Sequence, residues 1–135
     1  MTMKIDHIGI LVKDLEDSLE KYTALLDLKA DKIEEIEVDG VMDRLAFLPI
    51  GDADIELIHC RAETGFAADF LKARGEAIHH IAFEVEDIHE IFRKLHTRGV
   101  KFLKNQVLDG SRGRKVAFFE PEEFNGVYIE LVEKP

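Results

Sequence analysis

Cysteine is almost missing from this chain: Cys60 is the only one in 135 residues. No intrachain disulfide framework is possible, and a reducing, cytoplasmic setting is the expectation. Proline occurs only three times and the nine glycines are scattered, so no Pro-rich or Gly-rich linker separates independent domains. A single domain spanning 1–135 is expected, long enough to bury a core of its own. Positive charge is in deficit, with a formal net charge of −10, which argues against a nucleic-acid partner that would need its phosphates neutralised. No apolar run approaches the roughly 18 residues of a membrane span, and no basic-then-apolar signal opens the chain. No membrane partner is expected.

What the chain does have is an internal echo. Ile5-Asp6-His7-Ile8-Gly9-Ile10-Leu11-Val12-Lys13-Asp14 returns as Ile78-His79-His80-Ile81-Ala82-Phe83-Glu84-Val85-Glu86-Asp87, a shift of 73 that carries His7 onto His80. Ile55-Glu56-Leu57-Ile58 returns as Ile129-Glu130-Leu131-Val132 at a shift of 74. Arg44-Leu45-Ala46-Phe47-Leu48 returns as Lys115-Val116-Ala117-Phe118-Phe119 at a shift of 71. The drift between these shifts falls in connecting turns, which tolerate changes of length.

Pattern reading gives each half the same order. Lys4–Val12 alternates as a strand, and Asp14 caps a helix with an apolar stripe at Leu15, Leu19, Tyr22, Leu25 and Leu26. Ile33–Val38, Met42–Pro49 and Ala53–Cys60 read as strands joined by turns at Asp39-Gly40 and Gly51-Asp52. Phe66–Arg74 reads as a connecting helix closed by Gly75. The second half follows with strand Ala77–Val85, helix Asp87–Arg98, and strands near Lys101–Leu103, Arg114–Glu120 and Val127–Val132. The fold class read from this order is α+β, two pseudo-symmetric βαβββ modules at about 4–60 and 77–133.

Alternation assigns the faces. Ile8, Ile10 and Val12, and likewise Ile81, Phe83 and Val85, form apolar faces for the helices; His7 and His80 point the other way, beside the small Gly9 and Ala82. Glu56 and Glu130 each point away from apolar neighbours on either side. A lone strand His or Glu is more often an ordinary solvated residue, but recurrence of the pair in both halves singles out the set. Two imidazoles and two carboxylates suit one divalent ion such as Co²⁺, Zn²⁺, Ni²⁺ or Mn²⁺, with open positions for water or substrate oxygens.

A doubled βαβββ plan with a His in the first and a Glu in the last strand of each half resembles the vicinal oxygen chelate superfamily, which includes glyoxalase I, extradiol dioxygenases and bleomycin resistance proteins. The stretches Ile5–Ile10, Leu45–Pro49, Ile55–Leu57, Ile78–Phe83 and Gly126–Leu131 are most similar to its methylmalonyl-CoA epimerase branch. The resemblance implies a curved, partly closed mixed sheet around a metal site, with His7, Glu56, His80 and Glu130 as metal ligands. It implies Glu56, Glu130 and Asp43 as candidate acid–base groups for moving a proton next to a thioester. Asp43 lies where that branch sometimes carries an acidic base; its plain alternative is a solvated strand-edge carboxylate. The implied substrate is an acyl-CoA thioester, and a homodimer is the implied assembly.

Departures occur where Glu120-Pro121-Glu122 replaces a His-Pro-Lys and Asp39-Gly40 replaces a Gln-Gly. The basic loop Gly110-Ser111-Arg112-Gly113-Arg114-Lys115 can be read as a coenzyme A phosphate grip through Arg112, Arg114 and Lys115, or as a solvated hairpin loop. His79 is read as a packing residue, His59, His89 and His96 as surface, and Cys60 as inert. Two rival functions stand beside the epimerase: a glyoxalase I-like lactoylglutathione lyase using the same metal and carboxylates, and a metal-free small-molecule binder of the resistance type.

Overall fold

A computed structural model describes residues 3–135. The strands are β1 Lys4–Leu11, β2 Ile33–Val38, β3 Val41–Ile50, β4 Ala53–His59, β5 Ala77–Glu84, β6 Leu108–Asp109, β7 Lys115–Phe118 and β8 Tyr128–Glu133. The helices are α1 Leu15–Leu26, α2 Phe66–Arg74 and α3 Ile88–Thr97. The strands form one eight-stranded mixed sheet in the order β2-β3-β4-β1-β5-β8-β7-β6. The α+β class and the repeated order read from the sequence are what the structure has.

Local chemistry explains the elements. Asp14 and Asp87 cap α1 and α3 through side-chain oxygens that accept from the backbone N–H of Asp17 and Glu90. Asp39 and Gly40 both take positive φ, 51° and 83°, which fits the tight twisted turn between β2 and β3. In each half the first strand runs parallel to the last, β1 with β4 and β5 with β8, because a helix and two antiparallel strands intervene.

The chain folds as two compact units: His7–His79, and the segment ending at Asp6 together with His80–Pro135. In the first, Val12, Leu15, Ala46, Leu48 and Leu57 make a core on which Ile10, Leu19 and Tyr22 pack. In the second, Val85, Ile88, Phe102, Ala117, Phe119, Ile129 and Leu131 do so, with Ile81, Phe83 and the α3 residues Ile91, Phe92 and Leu95 against them. The apolar strand faces thus pack on the helices as alternation requires.

Two expectations change. Leu25 and Leu26 are not part of the α1 stripe's buried face but are 80% and 63% exposed, since Asp27 turns into the left-handed region and ends the helix there. The strand expected near Lys101–Leu103 is a single bridge between Phe102 and Phe119, followed by a 3-10 turn at Leu103–Asn105 in which Lys104 and Asn105 have positive φ. The second half recovers pairing only in the two-residue β6.

Candidate metal centre

In the first unit, β1 and β4 pair so that Gly9 lies opposite Glu56, and β3 places Phe47 opposite the same Glu56. The His7 Nε2 is 3.3 Å from Glu56 Oε1, and the Phe47 ring stands edge-on to the imidazole at 5.5 Å and 87°. In the second unit, Ala82 lies opposite Glu130, and Phe118 pairs with Glu130. His80 Nε2 is 3.5 Å from Glu130 Oε1, with the Phe118 ring edge-on at 5.3 Å and 83°. All four polar side chains are buried.

His7, Glu56 and His80 each offer a ligand atom, and these atoms lie within 4.8 Å of one another. Neutral nitrogens with a buried carboxylate are a donor set that a borderline divalent ion takes readily. Burying a carboxylate is costly unless a cation or donors offset its charge, so the chemistry of the trio fits a bound metal. Glu130 stands outside that trio and approaches it through His80.

Asp43 is not a solvated strand-edge residue: it is only 5% exposed, on β3. Burial pushes its carboxyl above the usual aspartate range, against the opposing pull of the Arg61 backbone N–H, which donates to Oδ1 at 2.9 Å, and of the nearby His59 and Arg61 charges. The adjoining Cys60 thiol is pushed up too, by burial and by the Asp43 charge, which keeps it the protonated, inert thiol expected.

The basic loop differs from its sequence reading at one position. Arg114 is 7% exposed, and its Nη1 donates to Asp6 Oδ2, so it does not face solvent as part of an open phosphate grip. Lys115 is exposed and pairs with Asp109 on the neighbouring strand. Arg112, at positive φ, sits in the 3-10 turn Ser111–Gly113. His79 packs between Phe66 and Phe70 of α2, with ring centroids 5.2 and 5.0 Å away, in line with the packing role read for it. His89 and His96 are exposed, as read, while His59 is half-buried. The Asp6–Arg114 pair is the feature sequence reasoning missed. Its trace was available: the shift of 71 that carries Phe47 onto Phe118 also carries the inward Asp43 onto Arg114.

Comparison with known proteins adds an independent line. The family model described as the glyoxalase/bleomycin resistance protein/dioxygenase superfamily matches residues 6–118. An uncharacterized Bacillus subtilis protein, YqjC, is 33% identical over 96% of this chain and 91% of its own length. The ethylmalonyl-CoA/methylmalonyl-CoA epimerase of Cereibacter sphaeroides is 32% identical over 97% of this chain and 98% of its own. Among solved structures, a Streptomyces coelicolor methylmalonyl-CoA epimerase variant in complex with 2-nitronate-propionyl-CoA superposes with a TM-score of 0.89 at 32% identity, covering 97% of this chain and 94% of that one.

Proposed function

The chain belongs to the glyoxalase/bleomycin resistance protein/dioxygenase superfamily, and from that membership we propose that it is an epimerase of a malonyl-type acyl-CoA, acting as methylmalonyl-CoA epimerases do. The observation that carries this reading is near-full-length similarity to epimerases in a chain whose buried His7, Glu56 and His80 converge.

In this reading His7, Glu56, His80 and Glu130 hold one divalent cation. Such a cation would supply Lewis acidity that makes the α-carbon of the thioester more acidic. The remaining chemistry belongs to the side chains. Asp43, whose basicity burial has raised, accepts the α-proton; a base with a pKa nearer neutrality takes a carbon-bound proton more effectively than an ordinary aspartate. Inversion then needs a proton delivered to the opposite face of that carbon. Glu130, which stands outside the trio, is assigned that role in its protonated form, released from the cation, with Glu56 as the more tightly held carboxylate. Asp43 then gives its proton to solvent and Glu130 takes one up, which restores both groups. Phe47 and Phe118 exclude water around the imidazoles and keep each ring from turning. Arg112 and Lys115 are the groups assigned to the coenzyme A phosphates; Arg114, engaged with Asp6, is not. A homodimer is the proposed assembly, supported by the two outer strands β2 and β6 that end the sheet; light scattering tests it.

The activity test is isotope exchange. Methylmalonyl-CoA incubated with the protein in deuterated water should gain deuterium at the α-carbon and lose its stereochemical purity. Both should stop with a chelator and return on adding Co²⁺ or Zn²⁺. Absence of exchange under metal-replete conditions would overturn the proposal.

A further inference from the structure

We propose that the buried Asp6–Arg114 ion pair is a positioning device for the ligand His7; the inference rests on the metal reading above. Asp6 is 3% and Arg114 7% exposed. One Asp6 oxygen accepts from Arg114 Nη1, and Lys134 Nζ lies 3.5 Å from the other. Lys134 in turn lies 3.1 Å from Glu84 Oε1 on β5. Both oxygens of one buried carboxylate are therefore held by cations from the β7 and β8 ends of the second unit.

That carboxylate is joined by one peptide bond to His7. Asp6 and His7 are consecutive residues of one strand, β1. Side chains alternate along a strand, and a slip of one residue turns every side chain to the wrong face. A clamp on Asp6 fixes register and direction at the residue before the imidazole. Stability alone is a weak reason for such a clamp. Desolvating a carboxylate and a guanidinium costs about as much as their attraction returns, and matched apolar side chains often serve the fold as well. What an ion pair adds is a directional constraint that packing does not supply.

The clamp is present once. The equivalent positions in the other half, by the shifts of 73 and 71, are His79 and Asp43. His79 packs on the α2 rings, and Asp43 accepts a backbone N–H instead.

The test separates geometry from stability. The double variant Asp6→Leu/Arg114→Met removes the pair without stranding a buried charge. Metal-free melting temperature is measured first, then Co²⁺ and Zn²⁺ affinity by competition with a chromophoric chelator, with the Co²⁺ absorption spectrum as a report on the ligand set. Expected is a metal-free melting temperature close to that of the parent, with the metal dissociation constant raised roughly 10–100-fold, the range typical when the support of a ligand is lost. Arg114→Lys, which keeps a cation beside Asp6, should restore part of that affinity relative to Arg114→Met; these single variants carry the same test if the double variant does not fold. Unchanged affinity and spectrum overturn the inference, as does affinity that falls only in step with metal-free stability. A parent protein that binds neither metal removes the metal reading itself, whereas a parent and variant that bind equally well sink only the clamp.

Discussion

The two halves of this molecule match at the imidazole, the carboxylate and the aromatic ring of each, and diverge in charge and regularity elsewhere. His7, Glu56 and Phe47 in the first unit have the same pairings and nearly the same spacings as His80, Glu130 and Phe118 in the second. One shift away, the halves diverge in charge: the buried Asp43 of the first unit corresponds to the buried Arg114 of the second. They also diverge in regularity. β2, β3 and β4 span 6, 10 and 7 residues, whereas β6 and β7 span 2 and 4 and are interrupted by 3-10 turns. In the proposed reading the duplicated part would hold the metal, and the part that has drifted would distinguish one side of a substrate from the other. A symmetric shell around one cation needs the same ligands twice; a proton taken from one face of a carbon and returned to the other needs unlike surroundings.

The sharpest way to break this comparison is to remove a ligand from each half in turn. His7→Ala and His80→Ala should each abolish measurable α-proton exchange, a loss of at least about 1,000-fold, and each should eliminate stoichiometric metal on elemental analysis. Equal losses support equivalent halves. If only one variant loses its metal, the second imidazole is not a ligand and the duplicated-shell account fails.

The next test sharpens the contrast between Asp43 and its counterpart. Asp43→Asn should lower the exchange rate by about 100- to 10,000-fold, the usual contribution of a positioned base, and leave metal affinity unchanged. The reverse pattern is expected of the Asp6/Arg114 variants. Loss of metal in Asp43→Asn would place that carboxylate in the metal shell rather than beside the reacting carbon.

A smaller effect concerns the two bracing rings. Replacing Phe47 or Phe118 with Leu removes an edge-on aromatic contact worth about 0.5–1.5 kcal/mol beyond its buried area. Phe47 is buried and Phe118 half-buried, so Phe47→Leu should cost more in urea denaturation. Metal affinity should weaken by a similar modest factor in both. A ring whose loss destabilises the fold but leaves metal affinity untouched is core packing only.

Much of this was legible in the chain. The echo of Ile5–Asp14 in Ile78–Asp87 placed both imidazoles on equivalent strands, and the alternation around Glu56 and Glu130 turned both carboxylates to the faces that carry them. The α2 limits were readable because Gly75 ends the helix at positive φ. What could not be read depended on long-range partners. Asp43 looks like any strand-edge aspartate until the fold buries it and the backbone N–H of Arg61 reaches its carboxylate. Arg114 looks like one more charge in a loop, because its partner Asp6 lies 108 residues away. Local pattern also overstated the second strand of the second half, where Lys104 and Asn105 leave the extended conformation for positive φ. Periodicity reports which face a side chain takes, and says little about which distant charge meets it there.

The smallest predicted effect tests Asp43 through stability alone. Its carboxyl is held above the ordinary aspartate value of 3.8 by burial, so between that value and its folded one the native state binds more protons than the unfolded chain. Stability should therefore fall as pH rises through that window, and the part of stability lost is the cost of charging a buried group. Asp43→Asn removes this dependence: its urea midpoint should exceed the parent's above the window and converge with it toward lower pH, where the parent's Asp43 is neutral as well. The same protonation should set the acid limb of kcat/KM for α-proton exchange, moving it above that of an exposed aspartate. Arg114→Lys, which leaves Asp43 and its surroundings in place, should leave the stability window where it is. A difference between parent and Asp43→Asn that is flat with pH would mean that burial does not raise the Asp43 carboxyl. The asymmetry between the halves would then lie in packing rather than in charge.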